Sequence, residues 1–130
     1  MSSSGENGRG GPRKLLGLTA EGFVAGWLEG EGYTILDRNY STKVGEVDII
    51  ALKDRFLCFV EVRSRSSDSM GSPSLTVNRR KQLRIIKAAM QYIAEKRLQD
   101  THGRFDVAAV IFEAGEPRLE YIPAAFDAGM

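Results

Sequence analysis

Two carboxylates stand inside otherwise apolar runs: Asp48 in Val47-Asp48-Ile49-Ile50, and Glu61 in Phe59-Val60-Glu61-Val62. An ionised group costs free energy in such a setting unless something neutralises it. The polar triplet Lys53, Asp54, Arg55 separates the two runs, which predicts a β-hairpin. If its loop has two or four residues centred between Asp54 and Arg55, Asp48 and Glu61 are equidistant from the centre and lie opposite each other. Directly opposed side chains have Cβ atoms roughly 5 Å apart, and like charges so placed destabilise a sheet. A shared proton, a nearby Arg or Lys, or a hard divalent cation with oxygen ligands would compensate. The same register sets Glu46 opposite Arg63, and strand alternation puts Glu46 with Asp48 and Arg63 with Glu61. A three-residue loop would shift the register and remove the pairing.

Elements on either side must hold this hairpin. Thr19 is a helix cap, followed by Ala20, Phe23, Val24, Trp27 and Leu28 at the spacing of one buried face. Phe23 and Trp27 are therefore core residues in this reading, not a base-stacking platform. Gly30 and Gly32 end the helix, Tyr33 to Tyr40 is extended, and Lys43, Val44 and Gly45 turn the chain into the hairpin strands Glu46 to Leu52 and Phe56 to Arg63. Ser64 to Ser74 is a serine-rich loop. A second helix is expected from about Thr76 to Leu98, burying Leu83, Ile86, Met90 and Ile93. Arg104 to Phe112 is a further strand, Glu113 to Pro117 a turn, and Arg118 to Ile122 a last strand closed by Pro123. The order α-β-β-β-α-β-β implies an α/β sandwich, a mixed central sheet flanked by helices.

The chain of 130 residues suits one domain, and its 42% hydrophobic and 27% charged residues are those of an ordinary globular protein. The expected organisation is an N-terminal tail over 1–16, a folded domain over 17–123 and a C-terminal tail over 124–130. No apolar stretch is long enough to span a membrane, and the Ser- and Gly-rich start lacks the apolar run of a secretory signal. One cysteine, Cys58, excludes an internal disulfide, so the cytoplasm is the expected compartment. Cys58 alternates with Phe56 and Val60 and is expected as a buried thiol. A net charge of +1 means that any nucleic-acid contact must be local. The basic residues do cluster: Arg80, Arg84 and Lys87 recur on one helical face, with Arg79, Lys81, Arg63 and Arg65 nearby. They could neutralise backbone phosphates without reading bases, or simply be solvated. His102 has no second ligand at matching spacing, and Asp106 is expected to pair locally with Arg104.

Taken together, Gly45-Glu46-Val47-Asp48-Ile49-Ile50-Ala51, Phe59-Val60-Glu61-Val62-Arg63-Ser64-Arg65, Lys81 and Arg104-Phe105-Asp106-Val107 resemble the YraN family of small bacterial proteins. That family is similar to Holliday-junction resolvases and other PD-(D/E)xK nucleases. The resemblance covers Gly17 to Tyr121 and implies a restriction-endonuclease-like fold with a Mg²⁺ or Mn²⁺ site acting on DNA. Asp48 would match the family's first acid, Glu61 the acid of its E-x-K element, and Glu21 a further acid directed at the metal. Arg63 stands where the resembled nucleases carry lysine. An arginine supplies the electrostatic part of that role but stays protonated. Three readings stay open: Arg63 suffices, Lys81 substitutes, or the site binds without cutting. The similarity to resolvases also raises a homodimer, although no self-complementary apolar patch is legible.

Overall fold

The computed structural model describes residues 19–66 and 76–128. The expected N-terminal tail, most of the serine-rich loop and the last two residues lie outside them. The described chain runs α1 (Ala20–Gly30), β1 (Thr34–Ser41), β2 (Glu46–Lys53), β3 (Phe56–Ser66), α2 (Arg79–Lys96), β4 (His102–Glu113) and β5 (Glu116–Phe126). The five strands form one sheet in sequence order. All neighbours are antiparallel except β3 and β4, which are parallel because the crossover through α2 returns the chain to the same end. This is the α/β sandwich expected from the sequence.

Each helix covers one face. Val24, Ala25 and Leu28 of α1 pack over Ile49, Ala51, Cys58 and Val60. On the other face, Ile85, Ala88, Ala89 and Tyr92 of α2 pack over Ile50, Leu57 and Phe59. The inner strands are apolar on both sides for this reason. Thr19 caps α1 as expected, its hydroxyl accepting from Gly22 N at 2.9 Å. The hairpin loop is Asp54 and Arg55 between the pair Lys53 and Phe56, so the register is the one the even-loop reading required.

Three expectations change. Leu83 and Met90 are 40% and 58% exposed; the buried face of α2 is Ile85, Ala88, Ala89 and Tyr92, with Ile86. Both faces have helical spacing, and the one bearing alanines wins because the helix lies very close to the sheet. β3 continues to Ser66, paired with β4 throughout, so the loop begins later than its serines suggested. β5 passes Pro123 and reaches Phe126, since its ladder with β4 shifts register between Phe105 and Val107 and then resumes. An edge strand tolerates a proline whose nitrogen faces away from the ladder.

The close approach of α2 is set at Gly45. A Cβ built there would lie 1.8 Å from the Arg84 carbonyl oxygen, so the start of β2 meets the backbone of α2 directly. Thr42 shapes the turn before it, its hydroxyl accepting from Val44 N and Gly45 N at 3.1 Å each. Gly45→Ala is expected to cost roughly 1–3 kcal/mol through overpacking. Gly26→Ala, in a helix where an added Cβ meets nothing within 4 Å, should gain roughly 0.5–1 kcal/mol. Urea unfolding of both variants checks this pair, and equal effects would contradict the packing account.

Candidate functional site

β2 and β3 pair from Lys53 and Phe56 as far as Ile49 and Val60. Beyond that point β2 stays paired with β1 to Glu46, and β3 with β4 to Ser66. The sheet thus opens between its two strands at the next residues, Asp48 and Glu61. The freed N–H of Val62 donates to Asp48 Oδ2 at 2.8 Å, a side chain replacing a ladder carbonyl. The alternation of β2 slips here too: Val47 and Ile50 both face α2, while Ile49 faces α1. Across β1, Asn39 lies between the pairs Arg38–Ile49 and Tyr40–Val47 and takes φ 56. The expected pairing of Glu46 with Arg63 does not form, because the strands have already parted.

Glu61 is 5% exposed, and its Oε2 lies 2.8 Å from Lys81 Nζ of α2. Burial pushes the Asp48 carboxyl up to about 6; the Val62 N–H pulls it down, the charge of Glu61 and a hydrogen bond to it push it up, and Lys81 pulls it down. Two carboxylates in contact therefore share the surroundings of the Lys81 ammonium, which pairs with Glu61. A pair of buried acids in contact favours a further proton or a cation beside it.

The helix end above the pair is positive. Asn78 caps α2 through Lys81 N at 2.8 Å, and its first turn holds no acid but Arg79, Arg80 and Lys81. Cations there oppose the helix dipole. Arg80, Lys81 and Arg84 line a recess of about 260 Å³ with Asn78 and Glu46, so Lys81 joins the recess to the acids. Arg79 is engaged locally with Gln82 and the Ala128 carbonyl, and Lys87 is exposed. Arg63 is half-buried and by alternation lies on the Glu61 side of β3; Arg65 follows on the same side.

Glu21 is bonded to β1. It sits on α1, whose core lies on the other face, and its Oε2 accepts from Arg38 Nε at 2.7 Å and Asn39 Nδ2 at 3.2 Å. Among the described residues no three His, Cys, Asp or Glu side chains gather closely enough to hold a metal ion, so the acids come together as a pair.

A second buried carboxylate went unread as a network. Asp106, fully buried, pairs with Arg104 as expected, at 2.9 Å from Nε and from Nη2, but it also accepts from the Tyr121 hydroxyl and from Ala124 N. Burial first, then Asp106, pushes the neighbouring Cys58 thiol up to about 12, as befits an inert core thiol. The available signal was that Asp106 interrupts an apolar run just as Asp48 does.

The raised Asp48 carboxyl has a consequence for stability. Its folded-state value exceeds the unfolded one, so the folded form is favoured while Asp48 is protonated and loses stability as pH rises from about 4 through about 6. Asp48→Asn keeps an acceptor for Val62 and is expected to raise the melting temperature by a few degrees at pH 7 without metal. The gain should shrink toward nothing near pH 4. Melting curves in chelator across this range measure it, and a destabilised variant at pH 7 would refute the assignment.

Comparison with known proteins agrees with the motifs. The model of the uncharacterised protein family UPF0102 matches residues 20–110. The UPF0102 protein of Anaeromyxobacter dehalogenans (strain 2CP-C) is 44% identical over 125 residues, 96% of this chain and 93% of that protein. That of Syntrophotalea carbinolica is 46% identical over 115 residues, 88% of this chain and 94% of that protein. That of Myxococcus xanthus (strain DK1622) is 40% identical over 118 residues, 91% and 94% of the two chains. With the family model spanning most of the fold and relatives of this identity matching nearly end to end, the chain belongs to the UPF0102 family, the YraN group its motifs resemble.

Proposed function

We propose that the protein is a divalent-metal-dependent nuclease acting on DNA, with branched or single-stranded structures as its substrates. One observation carries this: Lys81 sits 2.8 Å from the buried Glu61, beside Asp48, where the parted strands meet the basic end of α2. The donor set fits Mg²⁺ or Mn²⁺, because two hard carboxylates with a net negative charge leave room for the waters such ions retain. Asp48 and Glu61 would hold the ion, which when bound lowers the pKa of a water and offsets charge on the scissile phosphate. Lys81, already in the site, supplies the ammonium that the E-x-K position lacks. It can orient the attacking water and stabilise the charge that develops on phosphate. Arg63 adds fixed positive charge from β3. Arg80 and Arg84 offer a phosphate rim reinforced by the helix dipole, and their position against that dipole is easier to explain by ligand binding than by stability.

Incubation of the wild type with branched and single-stranded DNA and Mn²⁺ tests this directly. Asp48→Ala should lose both Mn²⁺ binding, read by calorimetry, and cleavage. Lys81→Ala should keep metal binding and lose about 100-fold or more in rate. Retained metal binding in Asp48→Ala would remove the basis of the proposal. Arg63 favours a second reading, a relative that binds nucleic acid without cutting it. An inert wild type beside an active Arg63→Lys variant would establish that reading instead.

A further inference from the structure

A second cavity, of about 500 Å³, is lined by Trp27, Tyr33, Arg104, Leu119, Tyr121 and Pro123. Its volume falls among those of ordinary ligand sites. It lies on the α1 face, away from α2. Trp27, expected in the core, is half-buried here, and its ring lies 4.9 Å from that of Tyr121 at 37°.

The polar group in the cavity is held rigid from behind. Arg104 gives Nε and Nη2 to Asp106 and a further Nη2 bond to the Tyr33 hydroxyl at 2.8 Å, and its guanidinium stacks 5.2 Å from the centre of the Phe56 ring. Among the described residues, Nη1 donates to no protein acceptor, so two N–H groups of a fixed guanidinium are uncommitted. Asp106 already balances its charge. The cavity therefore suits an uncharged acceptor on a planar ring better than it suits a phosphate. Cationic charge sits at the rim instead, where Lys53 Nζ lies 5.2 Å from the centre of the Tyr33 ring. Phe56, 42% exposed, extends the aromatic surface.

We propose that this cavity takes an unpaired base of single-stranded nucleic acid. The base stacks on Trp27 and Tyr121, its edge accepts from Arg104 Nη1, and the adjoining phosphate lies near Lys53. Stacking of this kind is sequence-tolerant because every base has a π face. The proposal rests on the nucleic-acid reading of the acidic site and refines its substrate. From Phe56 to Glu61 β3 advances five residues, about 17 Å at roughly 3.3 Å per residue. The two sites lie on different faces, so one nucleic acid reaches both only through an unpaired, flexible tract.

Trp27 is the single tryptophan of the chain, so its emission reports on the cavity alone. The full chain is titrated in chelator at low salt with oligothymidylate, and separately with an abasic oligonucleotide of the same length. Quenching by oligothymidylate but not by the abasic strand is expected. Trp27→Leu should weaken oligothymidylate binding about 10-fold by anisotropy, with its fold checked by circular dichroism. Equal quenching by the abasic strand, or none by either, overturns the proposal whether or not Trp27→Leu folds. Cleavage by a wild type whose tryptophan does not respond would sink the base site and leave the nuclease. Quenching without cleavage would do the reverse.

Discussion

Everything in this fold is arranged around breaks in a sheet where buried carboxylates stand in for missing ladder partners. A backbone N–H taken out of water must find an acceptor, and twice the acceptor is an aspartate. Asp48 receives Val62 N where β2 and β3 part, and Asp106 receives Ala124 N where β4 and β5 lose register. Both remove an orphaned donor, and both bring a charge into the interior that must then be balanced.

The two are balanced differently. Asp106 has its own guanidinium, a phenol and a backbone N–H, with one negative charge against one positive. Asp48 shares its setting with Glu61, and the two acids share Lys81. The first arrangement is complete and pins β5 and Tyr121 to the sheet. The second sets two acids in contact beside one lysine ammonium. A raised carboxyl beside a second buried acid at an open seam is what supports the proposed metal site here rather than at Asp106. That contrast within one chain separates two kinds of buried acid more firmly than either does alone.

Lys81 reaches Glu61 only because α2 lies low over β2, and Gly45 permits that approach. The same closeness selects Ala88 and Ala89 for the buried face and turns Leu83 and Met90 outward. A helix raised by the width of one methyl group would weaken the ion pair and the packing together, so the position of the candidate catalytic ammonium is tied to core density.

The sequence alone determined the element order and the sandwich, and it made the hairpin register and the meeting of Asp48 with Glu61 follow from an even-length loop, which the structure supplies. These follow from local rules: period 2 or 3.6 in the apolar pattern, turn chemistry, and a loop whose length sets which residues oppose. The tertiary structure decided the rest. Which face of α2 is buried turned on a backbone contact at Gly45, Glu21 was drawn to Arg38 and Asn39 of β1, and Glu46 was parted from Arg63 by a seam invisible in the pattern. Arg104, Tyr121 and Trp27 converge from three elements, and Tyr33 from the connection between α1 and β1, on one cavity, and no spacing along the chain encodes a meeting of that kind. Local rules fix what each segment is, whereas the contacts between segments are set by how closely they pack.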